Sequence, residues 1–501
     1  MSKTNAAPDA RSELLISCSP GEARWALREA GVVVALGVER VRAGVQTGDL
    51  YLARVRAIVP SANAAFVDLD GQAEGFLSGR EARRKAAFAD VADSSNTAAA
   101  GMAESDDIAR LVTEGEALVV QVKRPALGDK AAQVTTAVSI AGPRLVLTPG
   151  RREVLVSRRI ADEGERARLT ELAGGLAGEA GLILRTAAAG AVAAVLEDEA
   201  GHLVARWRAL RETAREAAAP AALAREATPL TRVLRDHAGS GLDRILLDER
   251  AALGPAKRWL ADFVPDLADR VEAVAGVLPL FTSEGVDDAI EAALTREVGL
   301  AGGGSLIIDP AAALTAIDVN TGGRAGRQNR VILETNLAAA AEAARQIRLR
   351  NLGGLIAIDF VRMRERRDRD RVLEVLREAL AAMVPEAQLG GFTRFGLVEI
   401  VRPHDRAALH EAMCTPTHFG GWRRSAETVA LEALRAALGV AAAHPGRSLA
   451  LRAAPAVIDQ LAGPLQAAHR EAEDLLGLAI TLGSAPDNAE TDYETFDISP
   501  A

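Results

Sequence analysis

Two aspartates and an asparagine carry the sharpest chemical signal in the sequence. They lie in Leu314-Thr-Ala-Ile-Asp318-Val-Asn320-Thr-Gly-Gly and, forty-one residues after Asp318, in Leu355-Ile-Ala-Ile-Asp359-Phe. Each segment reads as an apolar strand with an aspartate near its C-terminal end, and a buried carboxylate needs a cation, hydrogen-bond donors or a metal. A helical crossover between the two strands would make them parallel, with both acids at the end where α/β proteins place ligands. Strand alternation puts Asp318 and Asn320 on one face. Two carboxylates, water and a substrate phosphate form the hard-oxygen environment that Mg²⁺ prefers, so the residues alone suggest a divalent-metal site for phosphodiester chemistry. The competing reading has Asp318 opening a turn over Asn320–Gly323 and Asp359 pairing with a nearby arginine, but the matched pair, joined by a helix rich in arginine at its end (Arg345, Arg348, Arg350), weighs toward the site.

Aromatic residues are scarce, with 4 Trp, 2 Tyr and 10 Phe, so Tyr51, Phe66 and Phe76 within one β-rich stretch stand out. Oligonucleotide-binding barrels stack single-stranded bases on aromatics beside a basic groove; the alternative is that all three pack the barrel core. Arg185-Thr186 follows the apolar run Leu182–Leu184 and offers a guanidinium fork and a hydroxyl suited to a terminal phosphate, although an arginine at a strand end is often simply solvated. The run Arg362–Arg371 is either a solvated face or a contact for a phosphate backbone. The seven histidines show no paired metal spacing, and no nucleotide-binding glycine fingerprint occurs.

The elements that must hold these residues are legible in outline. Residues 13–46 and 47–80 read as short strands, as do 117–122 and 133–147. Between them, 89–107 is small, polar and acidic and reads as a flexible insertion. A long Arg/Glu/Ala helix is expected around 196–218, and alternating helix and strand over 229–300. The clearest βαβ stretch is 303–401, with strands at Ser305–Asp309, Leu314–Asn320, Leu355–Phe360 and Gly396–Val401, and helices at about Val331–Leu352 and Arg369–Met383. Gly353-Gly354 would stop the first of those helices, and Gly302-Gly303-Gly304 would form a turn. Beyond 425 the chain reads as alanine-rich helix, then as disordered from about 485.

A chain of 501 residues needs several cores, and 49% hydrophobic with 25% charged residues excludes a wholly disordered or fibrous protein. The net charge of −9 argues weakly against a polyanion partner, but the charge is uneven. Arg324–Arg371 holds twelve arginines against six acids, whereas Asp487–Ala501 holds five acids and no base. Cys18 and Cys414 are the only cysteines, so no disulfide framework is expected and a cytoplasmic location fits. No signal peptide and no membrane-spanning run is legible.

With those residues in view, AIDVNTG, NLAAAAEAARQIRLRNLGGLIAIDF and REVGLAGGGSLIID resemble the catalytic region of the ribonuclease E/G endoribonucleases. GDLYLARVRAIVPSANAAFVDLDGQAEGFL resembles that family's embedded S1 domain. GDKAAQVTTAVSIAGPRLVLTP, SRRI, LILRTAAAG and TRFGLVEIVR are similar to further family blocks in the same order, over roughly residues 10–420. The opening SELLISCSPGEARWAL, and no long arginine- and proline-rich degradosome-type scaffold tail, resemble the shorter ribonuclease G branch.

The resemblance implies an α/β multidomain fold. An RNase H-like fold would be assembled from 1–46 and 231–293, with an S1 (OB) barrel at 47–136 and a 5′-sensor domain at 137–230 inserted. A DNase I-like catalytic domain would occupy 294–412, a degenerate zinc-link segment 413–421, a small C-terminal domain 422–484 and an acidic tail 485–501. It further implies an Mg²⁺-dependent endoribonuclease that cleaves single-stranded RNA to 5′-phosphate and 3′-hydroxyl ends in rRNA or mRNA processing. Asp318 and Asp359 would hold the metal and Asn320 would position the phosphate. Phe66, Phe76 and Lys130 would contact RNA, with Tyr51 left to the core, and Gly142, Val146, Arg185 and Thr186 would bind a 5′-monophosphate. The alternatives are an S1-type RNA-binding protein without cleavage, or a metal-dependent DNase.

Three positions depart from the family's pattern. Residues 383–389, where a basic residue would complete the sensor, contain none, and Arg362 stands where a further acid is common. The zinc link that commonly pairs protomers needs Cys-x-x-Cys, but here Cys414 is followed by Thr417 at the second position, with His418 one residue beyond it. A structural zinc is therefore not expected, and any homo-oligomer would rest on other contacts.

Overall fold

A computed structural model describes residues 11–41, 44–82, 106–126, 131–160, 162–176, 178, 180–225, 228–239, 241–274, 279–323, 328–404, 406–417, 421–484 and 494–500. Most of the expected insertion at 89–107, together with Lys130, His418 and residues 485–493, lies outside the described residues. The chain forms two compact units: one comprises 1–40, 241–255 and 269–501, the other 41–240 and 256–268. Among the described residues no helix is long and apolar enough to cross a membrane.

The first unit contains a five-stranded sheet in the order Val271–Ala273, Arg244–Leu247, Ser12–Ser19, Glu22–Glu29, Val32–Arg40. Residues distant in sequence meet here, because Ser12–Ser19 runs parallel to Arg244–Leu247 with Leu15 opposite Leu246. A second, six-stranded sheet carries the candidate site. Its order is Glu297–Gly299, Ser305–Pro310, Thr315–Asn320, Gly354–Asp359, Leu397–Arg402, Gln388–Phe392. Its buried side chains, including Ile317, Val319, Ile356, Ile358, Val398 and Ile400, share a core with Ala339, Ala343 and Ile347 of the helix Gln328–Leu349 and with Val372 and Leu376 of the helix Arg366–Met383.

The crossover helix begins and ends about three residues earlier than its apolar pattern suggests. Its stop is not the glycine pair but Asn351, whose φ of 52° turns the chain left-handed while the Leu352 N–H closes onto the Ile347 carbonyl at 3.0 Å. Gly302, Gly303 and Gly304 do form a turn, all with positive φ. A Cβ on Gly304 would lie 2.5 Å from the Asn320 carbonyl oxygen, so the turn needs glycine there.

The C-terminal part of this unit is a three-stranded sheet, Ile480–Ser484, Leu449–Ala453, Phe496–Pro500, packed on the helices Ala426–Ala443, Pro455–Ala462 and Gln466–Leu476. Here the disorder expected from about 485 is corrected for Phe496–Pro500, while 485–493 lie outside the described residues. Phe496–Pro500 is a strand antiparallel to Leu449–Ala453, because Phe496 and Ile498 alternate toward the helical core and their burial offsets the acidic character of the segment.

The second unit contains a closed five-stranded barrel of the oligonucleotide-binding type. Leu50–Val59, Ala64–Asp68, Glu74–Ser78, Ala132–Thr135 and Ala117–Arg124 follow one another around it, and the last pairs back with the first. Tyr51, Val55, Val67, Leu77, Val120 and Val134 fill its interior. A four-stranded sheet, Val154–Val156, Gly181–Leu184, Leu145–Thr148, Ile140–Ala141, completes the unit with the helices Glu163–Ala173 and Ala193–Glu216.

Candidate active site

The strand Thr315–Asn320 alternates strictly. Thr315, Ile317 and Val319 are buried against the helices, whereas Ala316, Asp318 and Asn320 face solvent. Gly354–Asp359 does the same at its C-terminal end, with Ile356 and Ile358 inward and Asp359 exposed. The two strands are parallel, and their register sets Asp318 directly beside Asp359. Neighbouring strands lie about 4.8 Å apart, so one cation can face both carboxylates. Burial of the two aspartates is thus corrected: small Ala316 and Ala357 made the strands read as apolar throughout, but one face of the sheet is open.

The surroundings also decide against arginine pairing. Among the described residues neither Asp318 nor Asp359 forms an ion pair; Arg345 instead pairs with Glu342 at 2.5 Å and Arg348 with Glu29 at 2.6 Å, while Arg350 donates to Gln346 at 2.6 Å. Asn320 Nδ2 donates to Asp318 Oδ2 at 3.0 Å and so fixes the orientation of that carboxylate. Buried Asn336 holds the backbone two residues beyond Asp359. Its amide holds both the Val361 carbonyl (2.7 Å) and the Val361 N–H (3.1 Å), anchoring the chain as it leaves the strand.

Among the described residues no cluster of three or more His, Cys, Asp or Glu side chains is placed to hold a metal. Two carboxylates on an open face nevertheless fit Mg²⁺, which keeps several waters and takes one or two protein carboxylates plus substrate oxygens.

On the barrel, Phe66 and Phe76 are cross-strand neighbours outside the core, half-buried, with ring centroids 5.7 Å apart in an edge-to-face arrangement. Exposed Gln133 flanks Phe76 on the next strand. Tyr51 is fully buried, as expected.

Of the four residues read as a phosphate pocket, Arg185 and Gly142 are in direct contact. Val146 pairs with Ile183, Arg185 Nη1 donates to the Gly142 carbonyl at 2.9 Å, and the Thr186 hydroxyl lies 3.1 Å from that of Ser157. Arg185 Nη2 is taken up by Asp236 at 3.0 Å. Burial works to raise the Asp236 carboxyl, but Arg235 and Arg185 together hold it below its ordinary value.

Sequence reasoning missed both Asp236 and the buried Glu199, whose Oε1 accepts the Arg144 and Leu145 N–H groups at 2.8 Å each. A signal for Glu199 existed, since it interrupts the apolar stripe Leu196, Ala200, Leu203, Trp207 of its helix. Burial pushes its carboxyl up, against the pull of those two N–H groups and Arg144. A Cβ on Gly142 would come within 2.4 Å of Glu199 Oε1, which explains a glycine at that position.

The model of the "Ribonuclease E/G family" matches residues 139–405. Ribonuclease G of Escherichia coli (strain K12) is 34% identical over 488 residues, covering 95% of this chain and 97% of that protein. The chain belongs to the ribonuclease E/G family. Ribonuclease G of Haemophilus influenzae is 34% identical over 455 residues, covering 90% of this chain and 91% of that protein. Ribonuclease E of Escherichia coli (strain K12) matches at 34% identity over 423 residues, covering 83% of this chain but 39% of that longer protein. The layout accordingly fits the ribonuclease G branch of the family.

Departures from the family pattern have local structural correlates. Glu386, in the stretch without a basic residue, accepts a hydrogen bond from Arg402 Nε at 2.8 Å. Arg362 is exposed. Cys414 lies in a two-stranded ribbon, Cys414–Pro416 with Trp422–Arg424, where burial and the carboxylates of Glu494 and Glu432 push its thiol up to about 11.

Proposed function

We propose that the chain cuts single-stranded RNA internally at an Mg²⁺-dependent site held by Asp318 and Asp359, leaving 5′-phosphate and 3′-hydroxyl ends. Membership of the ribonuclease E/G family makes the chain a hydrolase acting as an endoribonuclease in RNA processing. The observation that carries the finer reading is the parallel register that sets Asp318 beside Asp359 on an open sheet face.

When bound, the ion supplies an acidified water and offsets the charge that develops on the phosphate. Asp318 and Asp359 would hold it, and Asn320 fixes Asp318 through its 3.0 Å hydrogen bond while its remaining N–H can meet a phosphate oxygen. A water oxygen joins phosphorus and gives up one proton, the bond from phosphorus to the 3′-oxygen breaks, and the departing 3′-oxygen takes up one proton, so that one water is added overall.

Phe66 and Phe76 supply the stacking surface expected of an S1-type barrel, which favours unpaired bases. Arg185, Thr186, Gly142 and Val146 form the 5′-monophosphate pocket. The RNase H-like, sensor and DNase I-like domains implied by the sequence belong to the same proposal, as does action on rRNA or mRNA in the cytoplasm. Single-stranded RNA and DNA oligomers, each with Mg²⁺ or EDTA, test it. We expect cleavage of RNA with Mg²⁺ only; binding without cleavage, or equal cleavage of DNA, would replace the reading with a binding protein or a DNase.

A further inference from the structure

Phe395 is 83% exposed, the highest exposure among the large apolar side chains described. A single exposed aromatic is unremarkable on a protein surface. This one differs in how firmly it is held, in what covers it and in where it stands.

It sits in the turn Thr393-Arg394-Phe395-Gly396 between the strands Gln388–Phe392 and Leu397–Arg402. Three hydrogen bonds lock that turn: Thr393 N–H to the Leu397 carbonyl at 2.8 Å, Gly396 N–H to the Thr393 carbonyl at 3.0 Å, and Leu397 N–H to the Thr393 hydroxyl at 3.2 Å. Gly396 adopts φ 98°, a conformation that a side chain would resist. The ring is therefore presented on a rigid support. The Arg394 guanidinium lies over it, 5.0 Å from its centroid, and among the described residues Arg394 makes no ion pair. Leu397, two residues on, is the direct cross-strand partner of Asp359. Phe395 thus stands in the turn that leads into the strand end where Leu397 pairs with Asp359.

An exposed ring paired with an unpaired cation is the combination on which unpaired bases stack while the cation meets the backbone phosphate. Resting on the RNA-cleavage reading above, we infer that Phe395 and Arg394 form a platform for a base next to the scissile phosphate, Phe395 stacking on the base and Arg394 contacting its phosphate. Its role is to set the register of the strand over Asp318 and Asp359. An obvious competitor is a protein surface, since Leu355 and Val401 are a cross-strand pair of partly exposed apolar residues on the same sheet face. The competitor offers no use for an unpaired cation stacked on the ring.

The test uses the full chain with Phe395→Ala, Phe395→Trp and Arg394→Ala. In EDTA, single-stranded RNA oligomers carry 2-aminopurine at each position in turn around a cut site. We expect quenching on binding at one position next to the cut, lost in Phe395→Ala and kept in Phe395→Trp. With Mg²⁺, Phe395→Ala should lower kcat/KM by roughly tenfold. An abasic sugar at the quenched position should impair the unaltered chain similarly and add nothing to the variant. Equal quenching and equal kcat/KM in Phe395→Ala overturn the inference, as does a variant changed only in oligomeric state by light scattering. The fluorescence arm needs no cleavage, so an unaltered chain that binds but does not cut would sink the cleavage reading while the stacking result is still scored separately.

Discussion

Asp318 and Asp359 stand side by side with no cation of the described residues paired to either. Two unit charges about 4.8 Å apart repel by roughly 1 kcal/mol in water, and by more where the local dielectric falls. We therefore expect Asp318→Asn or Asp359→Asn to leave Tm in EDTA unchanged or higher. Mg²⁺ should raise Tm of the unaltered chain and not of the variants; thermal melts with and without the ion check this, and a loss of several degrees in EDTA would assign the aspartates a structural task. In the proposed phosphate pocket, Arg185 is shared between the Gly142 carbonyl and Asp236. A 5′-phosphate must compete with that carboxylate, and residues 383–389 include no basic residue of the kind that would strengthen the grip. The expected outcome is a modest preference for 5′-phosphorylated over 5′-hydroxyl oligomers in matched cleavage rates, erased by Arg185→Ala. Equal rates in the unaltered chain would mean the pocket has lost that role.

Between elements, the firmest polar joint in the first unit is made by Glu22, whose side chain is fully buried. Arg24 (2.7 Å) and Arg40 (3.2 Å) from the same sheet and Arg435 (3.1 Å) from the helix Ala426–Ala443 converge on it. Burial alone would raise this carboxyl, but Arg24, Arg435 and Arg40 outweigh it and hold the group at about 2. A folded value below the unfolded one near 4.5 contributes stability that is complete above pH 4.5 and is lost as pH falls through 2. Glu22→Gln should destabilise by about 3–5 kcal/mol at neutral pH, because it removes the buried charge that three arginines share, and should flatten the acid limb of the stability profile. Denaturant melts between pH 7 and pH 2 read both effects; an unchanged acid limb would contradict the assignment. None of this joint was legible in the sequence, where Glu22 and Arg435 lie more than four hundred residues apart. The strands around it were legible, because period-2 patterning is local. The open face beside Asp318 was half legible. Thr315-Ala-Ile-Asp-Val-Asn320 alternates as a half-buried strand should, yet the alanines disguised the exposed positions as apolar.

Across the chain as a whole, the pairing of Asp318 with Asp359 followed from two local patterns and one crossover, so the sequence carried it well. Partners from distant segments, such as Glu199 beneath Gly142 and Asp236 beside Arg185, needed the fold. The Phe496–Pro500 strand was hidden because five acids dominate the composition of a tail whose two apolar residues do the packing. Assembly is open to a direct check. With Thr417 in the second thiolate position and Cys414 held as a thiol well above neutral pH, purified protein should carry no stoichiometric zinc. Metal analysis showing about one zinc per two chains, with the dimer lost in Cys414→Ser, would reverse that expectation. Cleavage of one single-stranded RNA oligomer by the unaltered chain, Asp318→Asn and Asp359→Asn, with binding measured alongside, decides whether the aspartate pair cuts RNA. We expect Mg²⁺-dependent 5′-phosphate products from the unaltered chain alone and undiminished binding by all three; turnover surviving in either variant would contradict it.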